Sequence, residues 1–229
     1  MLAKIKGIVD REGFTGLLHR GLTLPGRRNW LGMRYEERYY YEHTTKELNP
    51  LEFVPSRRDF TLHIVRTSQE ADALEADGYE FRSYQTKASK GLDIGGIAFC
   101  IFIGRELAYI SWAAITEEAK PYVDDWPYKV DFANKEACGG ATLTIPKYRR
   151  YRFMRYGHYE KNEFLRQMGV VKNRSSVGIY NTASNNAQAK FGGRIYAKAR
   201  YLRILGLESW KETPLNMSLD TALKRFTRK

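Results

Sequence analysis

Within six residues, Lys147-Tyr148-Arg149-Arg150-Tyr151-Arg152, the chain places four cations directly after Ile145-Pro146. The apolar run Ala137 to Thr144 precedes them and reads as a strand; a helical segment to Met168 follows, and a second strand ends at Asn181. A strand that breaks at proline and feeds a cationic helix start outlines a phosphate site. The first helical turn offers unpaired backbone N–H groups and the positive end of the macrodipole, so an anion is stabilised there by backbone alone. Guanidinium groups beside that turn add bidentate contacts to phosphate oxygens.

The order Ile145-Pro146-x-Tyr148-Arg149, a helix, a short strand, then Asn181-x-x-Ser184 and Lys190-x-Gly192 resembles the core of the GNAT family of acyl-CoA N-acyltransferases. The likeness runs outward in the same order: Ile97 to Trp112 resembles the family's central hairpin, turning at Gly104-Arg105, and Gly193 to Gly206 its closing strands. It implies an α/β (α+β) domain with a mixed, mostly antiparallel sheet flanked by helices. It also implies a donor, acetyl-CoA or another acyl-CoA, whose acyl group an unidentified amine takes by direct attack. Carried over by position, the backbone of Leu143, Thr144 and Ile145 would hold the pantetheine arm and the thioester oxygen. Lys147, Tyr148, Arg149, Arg150, Tyr151 and Arg152 would meet the pyrophosphate, with Asn181, Ser184 and Lys190 completing the cofactor-binding set.

The chain departs from the family pattern in three places. Where the pyrophosphate loop commonly reads Arg-Gly-x-Gly, so that backbone can approach phosphate closely, this chain has Arg149-Arg150-Tyr151-Arg152. Where many members carry a tyrosine that protonates the leaving thiolate, it has Gln188, which cannot act as an acid. No carboxylate stands between Ala137 and Ile145; Glu136 and Asp131 lie just upstream. The catalytic acid and base are therefore unassigned. The same departures motivate two other readings: a donor presented on an acyl carrier protein or aminoacyl-tRNA, and a non-catalytic GNAT-like domain that binds a ligand or nucleic acid.

The element between the strands must position this loop. If it is a helix, positions 153, 157, 161, 164, 165 and 168 face the core, and they read Phe, Gly, Lys, Phe, Leu and Met. His158 and Lys161 either line a polar cavity or point to solvent around a slightly rotated helix, the second being the plainer expectation. Eight Lys or Arg between Lys147 and Lys172, interleaved with aromatics, also fit a single-stranded nucleic-acid surface or a solvated helix face.

Composition bounds the rest. The 229 residues allow one large domain or a domain with extensions, and a net charge of +12 favours an anionic partner such as a phosphorylated cofactor, an acidic carrier protein, nucleic acid or an anionic membrane. Cys100 and Cys138 are too few for a disulfide framework or metal site, Cys138 reads as a buried inert thiol, and the histidines show no ligand spacing; a reducing cytoplasm is expected. The domain plan has residues 1–58 as a basic amphipathic helix plus aromatic arm, 59–210 as the GNAT-like domain and 211–229 as a basic tail. Residues 2–18 are amphipathic enough to pack on the domain or lie on a membrane, and Leu219 to Phe226 reads as a short helix. Gly21 to Pro55 reads as an arm with little regular structure. Phe60 to Val65 reads as a strand, Ser68 starts a capped helix, Thr116 to Lys135 is a surface excursion, and a change of phase near Tyr201 suggests a bend.

Overall fold

The computed structural model describes residues 33–84, 86–204 and 207–217; the expected helices at 2–18 and 219–226 lie outside them. In chain order the elements are β1 (Met33–Thr44), β2 (Thr61–Val65), α1 (Ser68–Ala76), α2 (Thr86–Ser89), β3 (Gly96–Ile103), β4 (Glu106–Ala114), α3 (Lys120–Val123), β5 (Glu136–Thr144), α4 (Phe153–Gln167), β6 (Lys172–Gly178), α5 (Thr182–Lys190), β7 (Arg194–Ile204) and β8 (Leu207–Met217). The strands are mostly antiparallel, β5 and β6 form a parallel pair, and helices flank them. This is the mixed sheet and α/β class that the resemblance implies. Two compact units divide the chain: residues 41–176 with 187–194, and the described parts of 1–40, 177–186 and 195–229.

In the larger unit the strand order is β2-β3-β4-β5-β6, followed by the C-terminal end of β1. The hairpin β3–β4 is its centre, and from Leu107 to Ala114 every residue of β4 is buried, as a strand covered on both faces must be. Ile97, Phe99, Ala113 and Ala137 of the sheet pack with Leu165 of α4 and with Val170, while Ile101, Ala108, Tyr109 and Ile145 pack with Tyr148 and Phe153. One face of α4, Phe153, Gly157, Lys161 and Leu165, is buried at helical spacing. Gly157 is demanded by contact: a Cβ there would lie 2.1 Å from the ring of Tyr109. At the start of α1 the Thr67 hydroxyl accepts from the Glu70 amide and the Glu70 carboxylate accepts from the Thr67 amide, a capping box.

The smaller unit pairs β7 and β8 as an antiparallel hairpin beside the N-terminal end of β1. Ile195, Ala197, Ala199 and Tyr201 are buried in unbroken alternation. The expected phase change at Tyr201 is therefore absent, and the irregular register lies between Ile195 and Ala197.

Two more expectations are corrected. The arm from Gly21 to Pro55 contains the twelve-residue strand β1. Its charges are matched by remote partners: Glu42 meets Lys172, Arg174 and Arg194 within the larger unit, and Glu37 meets Lys198 and Arg200 within the smaller. Thr116 to Lys135 is no surface excursion either, because Val123, Asp124, Trp126, Tyr128 and Val130 are buried. The backbone of this segment lies directly on β5, where a Cβ at Gly140 would stand 2.5 Å from the Val123 carbonyl oxygen.

Candidate functional site

The parallel pair β5–β6 is joined over only three register pairs, Glu136 with Lys172, Ala137 with Asn173 and Cys138 with Arg174. Beyond them the strands part, and a fork opens. Its sharpness has a local cause. The register of β5 against β4 shifts between Ile110 and Trp112, and opposite that shift Ala141 sits at φ 42°, the left-handed conformation of a bulge residue. The Ile145 amide donates to the Ala108 carbonyl at 3.0 Å, so it is committed to β4. Strand amides alternate in direction, which turns the Thr144 amide toward the open edge of the fork. At the vertex Asn173, only 6% exposed, has a carboxamide oxygen with no hydrogen-bond donor among the described residues, and it lies against Gly139.

After β5, Pro146–Tyr148 form a single 3₁₀ turn, Arg149 is extended, and Arg150 and Arg152 stand at φ 75° and 67°. Left-handed backbone costs a non-glycine residue about 1–2 kcal/mol, yet the loop adopts it at the two positions where the family pattern has glycine. The turn is thus built without glycine. Arg152 is the N-cap of α4 and supplies no side-chain cap. The amides of residues 150–154 find no acceptor among the described residues, whereas those of Arg155 and Tyr156 both donate to the Arg152 carbonyl. Amides without acceptors in the first turn of a helix, with the positive end of the helix dipole behind them, make a place where an anion would be stabilised. The side chains of Arg149, Arg150 and Arg152 are exposed around it.

The other sequence-predicted residues divide. Lys147 is ion-paired with Glu106, and the buried Tyr148 donates its hydroxyl to the same carboxylate at 2.7 Å. Tyr151 is half-buried under the Arg57 guanidinium, 5.6 Å from its ring centroid. Leu143 and Ile145 are held by packing with Tyr148 and Phe153. Asn181 caps α5, its side-chain oxygen accepting from the Ser184 amide at 3.1 Å; both residues belong to the smaller unit. Lys190 is exposed at the end of α5, in the larger unit.

Two polar clusters border the fork. On the face covered by residues 116–135, the Asp124 carboxylate accepts from the Ser176 hydroxyl at 2.6 Å, the Tyr128 hydroxyl at 3.0 Å and the Trp126 amide at 3.2 Å. The Tyr128 oxygen is also 3.2 Å from the sulfur of Cys138, which burial pushes up to about 12. On the face covered by α4, His43 meets the Gln188 carboxamide at 2.5 Å, His158 packs edge-on to His43 and stacks on Phe191 at 4.0 Å, and Lys161 is buried nearby. Lys161 and His158 therefore do not turn to solvent. Burial lowers His43 to about 4, with Lys161 adding to it and the Gln188 bond opposing it, and burial pulls Lys161 down to about 8. Glu136 is occupied elsewhere: burial raises its pKa, but the bidentate Arg174 bonds at 2.5 and 2.8 Å, with the Asp131 amide and Lys172, hold the carboxyl below its usual range. Asp131 caps the turn at 132–134. Sequence reasoning missed Asp124 and Tyr128 because their partners Ser176 and Cys138 are remote in the chain.

No protein-family model matches the chain, and no curated protein matches it. Among solved structures it is similar to a conserved protein of unknown function from Staphylococcus epidermidis, at 12% identity and TM-score 0.48, over 83% of this chain and 67% of that one. It is similar to a tandem GNAT protein from the clavulanic acid biosynthesis pathway, at 14% identity and TM-score 0.49, over 78% and 53%. A GCN5-related N-acetyltransferase from Kribbella flavida is similar at 15% identity and TM-score 0.45, over 86% and 65%. The chain spans between about half and two thirds of the lengths of these proteins. In its mixed sheet flanked by helices and its short parallel pair, its own geometry resembles the GNAT fold expected from the sequence.

Proposed function

We propose that the protein is an N-acyltransferase of the GNAT type that moves an acyl group, acetyl in the simplest case, from acyl-CoA to an amine. The observation that carries this reading is the left-handed backbone of Arg150 and Arg152 at the foot of α4, beside the fork of β5 and β6. Strain of this size is retained where the surrounding structure needs it. A pyrophosphate in the turn would take the free amides of residues 150–154, with Arg149, Arg150 and Arg152 adding charge-assisted bonds. The pantetheine arm would run up the fork, meeting the Thr144 amide on the open edge of β5 and placing an amide N–H within reach of Asn173. A backbone N–H aimed at the thioester oxygen stabilises the charge that develops there. The test is an amide-resolved NMR titration of the labelled protein with acetyl-CoA. Shifts centred on Thr144 and residues 150–154 are expected; saturable shifts confined to another surface would refute the placement.

A second reading, a donor carried on an acyl carrier protein or on tRNA, is favoured by the three exposed guanidinium groups of the turn. Recognition of a large polyanion through such groups falls steeply with salt. Binding of the carrier or tRNA that vanishes at moderate salt, with no binding of acetyl-CoA, would replace the first reading with this one.

A further inference from the structure

We propose that Asp124 and Tyr128 are the proton-transfer pair of the fork, Asp124 taking a proton from the acceptor amine and Tyr128 giving one to the departing sulfur. The proposal rests on the reading that an acyl thioester occupies the fork. It supplies the two roles that the sequence leaves empty, since Gln188 cannot donate a proton as an acid, Glu136 is held by Arg174 and Asp131 caps a turn.

The geometry is a hydrogen-bonded chain across the vertex. Cys138 is the last paired residue of β5, and Ser176 lies two residues past Arg174, the last paired residue of β6. Between them run Cys138 sulfur to Tyr128 oxygen at 3.2 Å, Tyr128 oxygen to Asp124 Oδ2 at 3.0 Å, and Asp124 Oδ2 to Ser176 Oγ at 2.6 Å. The chain thus ties the two strands together on the face opposite α4, where they separate. Asp124 is 9% exposed and Ser176 is half-buried, so the carboxylate lies at the edge of the core beside a partly open serine. Charged neighbours include Lys120, whose ammonium sits 4.4 Å from the Tyr128 ring centroid and donates to the Trp126 carbonyl at 2.5 Å, and Lys161, whose charge also reaches Cys138. Burial, then the charges of Cys138 and Asp124, hold the Tyr128 phenol well above its ordinary value, so it stays a proton donor. The buried Cys138 stays a thiol beside it.

The step balances. The amine nitrogen bonds to the thioester carbonyl carbon while the carbon–sulfur bond breaks. Asp124 accepts the proton that the nitrogen loses, Tyr128 passes its own proton to the sulfur, and the proton on Asp124 moves along their hydrogen bond to restore the phenol. The products are an amide and a free thiol, and the pair ends as it began.

The experiment uses the full chain with acetyl-CoA as donor and glycinamide, tyramine and spermidine as acceptors, reading thiol release and, separately, acetyl-CoA affinity by calorimetry. Asp124→Asn and Tyr128→Phe should each lower kcat by roughly 10²–10⁴-fold, the usual contribution of a positioned acid or base, with acetyl-CoA affinity kept within about threefold. Unchanged kcat in both variants overturns the proposal. So does a parallel loss of rate and donor affinity, which would make the network a clamp on residues 116–135. A wild type that binds acetyl-CoA but releases no thiol with any of the amines also overturns the pair, whereas one that binds no acetyl-CoA overturns the reading of the fork beneath it. Should Asp124→Asn fail to fold, Tyr128→Phe, which removes a single oxygen, carries the same outcomes.

Discussion

Replacing both left-handed arginines by glycine separates what the backbone of the turn does from what its guanidinium groups do. Arg150 and Arg152 sit at φ 75° and 67°, and each pays about 1–2 kcal/mol for that conformation. Glycine removes the strain but gives the unfolded chain more freedom, which returns roughly 0.5–1 kcal/mol. The expected net gain is therefore about 0.5–1 kcal/mol per site, or a rise in melting temperature of roughly 3–6 °C for the double variant. Because both side chains are exposed, their loss should weaken acetyl-CoA binding by no more than about tenfold, and closer backbone approach offsets part of it. The control is the alanine double variant, which loses the same charges and keeps the strain; it should be less stable than the glycine variant and bind more weakly. The assay is thermal unfolding with and without acetyl-CoA, together with calorimetric titration. A glycine variant less stable than wild type would refute the strain argument, and a loss of affinity beyond about a hundredfold would show that the guanidinium groups carry the site.

Lys161 is 6% exposed with its pKa pulled down to about 8, so below that pH its charge in the folded state costs roughly 3 kcal/mol; Lys161→Met should raise stability at pH 7 by about 1–3 kcal/mol in urea unfolding. In the wild type the unfolded chain binds more protons between pH 8 and 10.5, so the Lys161 contribution should make stability rise across that window and the methionine variant should lack the rise. His43 acts at the other end: its folded pKa of about 4 lies below the ordinary 6.5, so its contribution is intact above pH 6.5 and roughly 3 kcal/mol is lost as pH falls to 4, a slope that His43→Gln should reduce. Gly157→Ala, whose Cβ would meet the Tyr109 ring at 2.1 Å, should destabilise by about 2–4 kcal/mol, as read from the unfolding midpoint; a change within 0.5 kcal/mol, the range of ordinary surface substitutions, would contradict the packing of α4 on β4.

Where local pattern and final environment agree, the sequence was legible. The β3–β4 hairpin, the strand ending at Thr144, the helix from Phe153 and the cap near Ser68 all follow from apolar periodicity and turn chemistry. Strand β1 was not legible, because the segment around it is rich in turn residues and aromatics and the cations that pair with Glu37 and Glu42 come from well over a hundred residues away. The same reason hid Asp124: an acidic, proline-bearing segment suggests surface until the Ser176 hydroxyl, 52 residues on in the chain, donates to its carboxylate in the core. Lys161 shows the converse, a periodicity that correctly placed a charged residue inward and was set aside for the ordinary preference of lysine for water. In the turn, the missing glycines bear on how closely backbone can approach phosphate, and the left-handed conformation is present without them at Arg150 and Arg152. The conformation costs about 1–2 kcal/mol per residue, which is within what a folded domain absorbs.

The most direct test of acyl-CoA as donor is calorimetric titration of the purified protein with acetyl-CoA at low and at moderate salt. Saturable micromolar binding that survives moderate salt, with one donor per chain, is the predicted result, because directional hydrogen bonds from backbone amides at a helix start depend less on salt than the attraction of exposed charges does. Absence of binding at either salt concentration would contradict the account and leave the turn without its pyrophosphate.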